Sequence, residues 1–180
     1  MNIILIILAV ILSVIVLLLV IALFVKNEYS IEREVLINQP KAKVFEYIRS
    51  LRNQDSFSKW ANIDPNMKKD YTGTDGTAGF VSSWDSDNKN VGKGSQEIIK
   101  ITNGERVDFS IHFIKPFEGL AKAFMTTESK RENQTLVKWG FASGMKYPMN
   151  LMLLFMNLKK MLGNDLQTGL NNLKAILEKE

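Results

Sequence analysis

The pattern of apolar and polar positions divides the chain into three regimes. The first, Ile3 to Val25, reads IILIILAVILSVIVLLLVIALFV and holds a single polar residue, Ser13. At ~1.5 Å per residue such a run makes a helix of roughly 35 Å, enough to cross a bilayer core with some tilt. The run predicts a transmembrane anchor over residues 1–26 rather than a cleaved signal. No Lys or Arg precedes it, it exceeds the apolar core of a signal peptide, and IALFVKNEY offers no small-x-small cleavage pair. Lys26, Arg33, Lys41 and Lys43 follow the span, with only the α-amine before it. The positive-inside rule then places the following domain in the cytoplasm.

In the second regime the period is mostly two. Ile31, Val35 and Ile37 share one face and Ser30, Glu32 and Glu34 the other, which predicts a strand leaving the anchor almost at once. NQPKAKVFEYIRSL interrupts it with helical spacing: Pro40 suits a first turn, and Val44, Ile48 and Leu51 recur on one face. QDSFSKW predicts a second short helix, capped by Asp55 or Ser56 and ending near Trp60. KKDYTGTDGTAGFVSSWDSD then gives two strand pieces around a glycine-rich turn. GKGSQEIIKITNGERVDFSIHFIKP gives a hairpin turning at Asn103-Gly104, and GLAKAFMTTESKRENQTLVKWGFASG two more strands around REN. Val107, Phe109, Ile111 and Phe113 face one way, and Arg106, Asp108, Ser110 and His112 the other.

From about Pro148 the period lengthens to that of a helix. Leu158, Leu162, Leu166, Leu170, Leu173 and Leu177 form one stripe, with Gly163 as a candidate bend. The stretch YPMNLMLLFMNLKKML, Tyr147 to Leu162, is apolar enough to raise the question of a second span. Its longest unbroken run, Leu151 to Met156, is far short of the ~20 residues a spanning helix needs. It is therefore expected to be the beginning of the last helix, buried against protein or covering something else apolar. Strands in succession followed by one amphipathic helix predict an α+β domain over residues 28–180: an antiparallel sheet of about seven strands curled around a long C-terminal helix. A monomer is expected.

Composition narrows the chemistry. The chain has no cysteine and one histidine, which argues against thiolate metal sites, cysteine nucleophiles and His-built zinc sites or triads. No metal and no cofactor are expected. The net charge of +4 is dispersed, with no basic block, and nucleic-acid binding is not expected. GKGS, Gly92 to Ser95, lacks the upstream glycine of a phosphate loop and reads as the glycine-rich opening of a hairpin arm. His112 has outward parity and reads as a solvated or rim residue. Asp75, Asp85, Asp87 and Glu97 fix no two carboxylates together, so no catalytic dyad is assigned. Asn133 to Thr135, NQT, matches a glycosylation acceptor, a tripeptide common by chance.

The aromatic and methionine positions carry more. Phe80 and Trp84, Phe109 and Phe113, and Trp139 and Phe141 fall on inward strand faces; Met152 and Met156 fall at the start of the last helix. Each alone reads as core. Together they outline the wall of a cavity between a curved sheet and a helix, where methionines adapt to varied apolar guests. These eight residues are the predicted ligand-binding wall; catalytic residues are not assigned.

INQPKAKVFEYI, a Trp near position 60, GTAGFVSSW, GKGSQEI, FIKPF, TLVKWGFASG and GLNNLK near the end together resemble the START-like superfamily, also called SRPBCC or polyketide cyclase-like, over about Ser30 to Glu178. The resemblance implies the helix-grip fold: a seven-stranded antiparallel sheet around a long C-terminal helix, with an apolar cavity between. It implies no single function, since such folds host carriers, receptors and cyclases. The expected function is a membrane-tethered binding module for a small hydrophobic ligand or lipid. Two alternatives are a cyclase or dehydratase acting on an apolar substrate, which needs an ionisable side chain with a partner in the cavity, and a regulatory or structural domain acting through its surface.

Overall fold

A computed structural model of the chain describes residues 2–179. The apolar run forms α1 (Ile3–Phe24), whose side chains are exposed except half-buried Leu19 and buried Ala22 near its end. It is long and apolar enough to cross a membrane. Only Val25, Lys26 and Asn27 separate it from β1 (Glu28–Ile37). Two short helices follow, α2 (Lys41–Arg49) after Pro40 and α3 (Gln54–Phe57), then a 3-10 turn at Trp60–Asn62. The remaining strands are β2 (Lys68–Thr72), β3 (Val81–Asp85), β4 (Lys93–Thr102), β5 (Arg106–Lys115), β6 (Gly119–Arg131) and β7 (Gln134–Gly144).

All neighbours pair antiparallel, in the order β1-β7-β6-β5-β4-β3-β2, so β1 returns to the end of the chain's meander and pairs with β7. The alternating pattern decides the faces. Ile37, Ile98, Val107, Phe109, Met125 and Val137 point inward and are buried. They meet Leu166, Leu170, Leu173 and Leu177 of α5 (Leu158–Leu177), each fully buried. Burial of a Leu side chain contributes about 1.5–3 kcal/mol, so this stripe is the main grip on the sheet. α5 lies along β1 and runs the same way: Lys174 Nζ donates to Leu36 O at 2.8 Å, Gln39 Nε2 to Leu177 O at 2.7 Å and the Asn38 amide to Glu178 at 2.7 Å. The beginning of α5 is therefore at the end of the sheet where the chain arrives from α1.

The seven strands and the leucine-striped helix match the expected helix-grip architecture. The beginning of that helix does not. Met149–Leu151 is a 3-10 turn, α4 (Met152–Phe155) is a single turn, and Met156 is extended before α5 starts at Leu158. Asn157 caps the new helix, its side chain accepting from the Lys160 amide at 3.1 Å. The break lets Asn150 turn to α1: its Nδ2 donates to Ala22 O at 2.8 Å and Val25 O at 3.0 Å, adding a partner for carbonyls at the end of that helix. Gly163 is not a bend. It lies within the continuous α5, and a Cβ there would sit 2.3 Å from the Arg33 guanidinium, so its smallness admits that side chain.

Candidate functional site

Between the sheet and α5 lies a cavity of about 390 Å³. Its apolar wall is built by strand parity: Trp84 from β3, Ile111 and Phe113 from β5, Ala123 from β6, and Trp139 and Phe141 from β7. Leu162 and Leu166 close it from the helix, and Leu51 and Trp60 from the segment between β1 and β2. Two glycines let the indoles lie where they do. A Cβ at Gly94, the cross-strand partner of Trp84, would stand 2.5 Å from its ring, and one at Gly169 of α5 would stand 2.7 Å from the Trp139 ring. Trp139 is held edge-on by Phe57 at 5.6 Å and Trp60 at 6.3 Å between ring centroids, while Trp84 meets Phe113 edge-on at 6.2 Å. Such pairs contribute ~0.5–1.5 kcal/mol beyond area burial and hold the walls in place.

The eight residues named from the sequence divide three ways. Trp84, Phe113, Trp139 and Phe141 line the cavity. Phe80 and Phe109 share its face but are packed solid in the core, 1% and 2% exposed, and do not reach it. Met152 and Met156 lie outside it altogether, on the broken segment before α5, because that segment turns away towards α1. The helix wall is supplied by Leu162 and Leu166, both in the leucine stripe, and Trp60 closes another side. His112 is on the outer face, its Nε2 3.6 Å from Glu118, as its parity predicts.

Polar groups gather on one side. Gln54 is buried on the cavity wall, and its Nε2 has no hydrogen-bond partner among the described residues. Asp55 lies beside it, ion-paired to Lys69 at 3.0 Å and accepting a short hydrogen bond from the Tyr71 hydroxyl. The Arg52 guanidinium covers the Tyr71 ring at 4.0 Å. Burial and the adjacent Asp55 carboxylate push the Tyr71 phenol up to about 12, so it is a neutral donor over the ordinary pH range. Among the described residues no three His, Cys, Asp or Glu side chains gather in a metal-binding group.

The mouth is formed by exposed residues at two loops, Lys89 and Asn90 between β3 and β4, and Lys115 at the end of β5 with Pro116 and Phe117 just after it. Both loops lie at the sheet end where β1 begins. Ser143 of β7 pairs with Tyr29 on one side and Ala121 on the other, so the start of β6 at Gly119 is level with Asn27, just after α1.

No protein-family profile and no curated protein sequence matches the chain. Solved structures do. Norcoclaurine synthase from Thalictrum flavum, in complex with dopamine and hydroxybenzaldehyde, is 10% identical with a TM-score of 0.60, over 85% of this chain and 88% of that one. Ara h 8.0201 is 13% identical with a TM-score of 0.57, over 85% and 99% of the two chains. A protein from Mesorhizobium loti is 12% identical with a TM-score of 0.59, over 84% and 98%. At these identities the likeness is one of fold: residues 28–179 share with these structures a curved seven-stranded antiparallel sheet around a long C-terminal helix, and an apolar helix precedes it.

Proposed function

We propose that the protein is a membrane-tethered binding module for a small hydrophobic ligand or lipid, with its domain on the cytoplasmic side. The observation that carries this reading is the aromatic-walled cavity of about 390 Å³, a size typical of small-molecule sites. Its mouth is at the end of the sheet nearest α1, where apolar guests are concentrated. The neighbour that holds dopamine and hydroxybenzaldehyde is in keeping with a fold that accommodates small aromatic guests. The unpartnered Gln54 Nε2 adds a chemical detail: the favoured guest carries an acceptor oxygen on an otherwise apolar body, because a buried donor left unmet costs about 1–3 kcal/mol.

Full-length protein in lipid nanodiscs is expected to take up a fluorescent apolar probe, and Gln54→Leu to weaken a carbonyl-bearing probe more than its hydrocarbon analogue. No uptake by folded protein would sink the reading and favour a domain that acts through its surface. For the side assignment, a cytoplasm-active reporter fused at the C-terminus is expected to be active; activity of a reporter that works only outside the cytoplasm would reverse it.

A second reading draws on Asp55, an acid at the cavity with Lys69 and Tyr71 as partners. Such a group suits a cyclase or dehydratase, with Asp55 as base, held in place by Lys69 and the neutral Tyr71. Both Asp55 oxygens already hold a partner, which favours binding over proton abstraction. The readings part on one measurement. A guest identified by native mass spectrometry should remain unchanged on prolonged incubation; conversion that is lost in Asp55→Asn would make the protein an enzyme.

A further inference from the structure

Apart from Leu36 and Ile99, the exposed large apolar side chains of the domain gather at the β5–β6 turn and in the segment before α5 and its first turn. Phe117, 75% exposed, and Leu120, 69%, stand at the β5–β6 hairpin; Leu154, 56%, and Phe155, 77%, stand on α4. Rings and branched chains left in water forgo the gain that burial against an apolar partner would bring. Two independent constraints put both groups at one end of the sheet. Asn150, in the turn just before α4, is hydrogen-bonded to the last carbonyls of α1, at Ala22 and Val25. The strand register places Gly119 level with Asn27, so the β5–β6 turn that carries Phe117 is at the same end of the sheet as the residues that follow α1. With neighbouring strands ~4.8 Å apart, β6 lies two strands, or about 10 Å, from β1. Exposed lysines crowd the same edge at Lys26, Lys89, Lys115, Lys146, Lys159 and Lys160, against exposed Glu28, Asp87 and Glu118.

We propose that this edge is a second membrane contact: Phe117 with Leu120, and Leu154 with Phe155, insert into the leaflet from which α1 emerges, and the lysines meet anionic headgroups. The occupant is the lipid bilayer. An apolar rim flanked by lysines is the composition of an interfacial element, and its continuity with the end of a 22-residue apolar helix leaves it at bilayer depth. The consequence concerns the guest. Phe117 belongs both to this rim and to the cavity mouth, so the cavity opens towards the acyl region and exchanges its guest with the leaflet without passage through water. This inference rests on the tethered reading.

The chain has no cysteine, so single nitroxide labels can be placed in the full-length protein at Ile11→Cys, Ile99→Cys, Phe117→Cys and Phe155→Cys. Ile99 is an exposed outer-face residue of β4, six positions from the membrane-side end of that strand. In vesicles of phosphatidylcholine with phosphatidylglycerol, labels at 11, 117 and 155 are expected to be relaxed more by oxygen than by an aqueous nickel chelate, and the label at 99 the reverse. If 117 and 155 behave like 99 while 11 stays in lipid, the second contact is overturned and the tether stands. If 11, 117 and 155 are all aqueous, the tether and the contact fall together. Lipid exposure at 117 and 155 with 11 in water would remove the tether and overturn the inference as stated, since the rim would then meet a bilayer that α1 does not span. Uptake of the apolar probe by the same labelled samples reports on the cavity separately.

Discussion

Trp139→Ala is expected to lower the free energy of unfolding by about 3–5 kcal/mol, the usual range for deleting a buried large aromatic. The ring is 4% exposed and serves two structures at once. On one side it packs edge-on against Phe57 and Trp60, which brings the α2–α3 segment onto the sheet. On the other it fits against Gly169, where a Cβ would come within 2.7 Å, so the helix can approach closely only because both residues are what they are. Alanine leaves a void that adjoins the existing cavity, and Gly169 has no side chain to fill it. Denaturant unfolding of the full-length protein in detergent measures the loss. Because the ring also walls the cavity, apolar-probe uptake is expected to weaken even under conditions where the variant is fully folded. A loss below ~1 kcal/mol would mean that the ring is not gripped as the geometry has it.

Much of this architecture is legible from periodicity alone. A strand's side chains alternate strictly, so the inward set Val107, Phe109, Ile111 and Phe113 can be read without a structure, as can the outward His112. Parity assigns a face but not a depth, and for that reason Phe80 and Phe109 were indistinguishable from the true wall residues Trp84 and Phe113. Depth depends on how the sheet curves and on what lies opposite, which are properties of the whole domain. The helix wall failed for a different reason. Leu151 to Met156 is apolar throughout, and continuous apolarity reads as burial in a helix whether the segment faces protein or lipid. The signals for the break were present: Asn157 is a good capping residue and Pro148 precedes the turn. Gln54 gave no sequence signal, because its meaning comes from being buried without a partner.

Leu162→Asp is expected to abolish apolar-probe uptake, whereas Met152→Asp is expected to leave it nearly intact. Leu162 stands one turn into α5 with its side chain on the cavity, facing Trp139 and Phe141 across it. A carboxylate there would be stripped of water whenever a guest entered, and an unpaired charge in an apolar cavity costs many times what the guest gains by burial. The polar cluster of Asp55, Lys69 and Tyr71 on the cavity wall is already engaged within itself. Leu162 is partly exposed and lies outside the fully buried stripe that begins at Leu166, so the substitution should cost little stability. Met152, by contrast, is on α4, away from the cavity. Its acidic variant should spare uptake from detergent solution. If α4 sits in the leaflet, the same variant should slow delivery of the probe from vesicles to the protein, since the added charge would be drawn towards water. The pair is decisive when probe uptake is titrated in detergent and in vesicles with both variants. Uptake lost in Met152→Asp but kept in Leu162→Asp would place the guest against α4 and invert the assignment of the cavity.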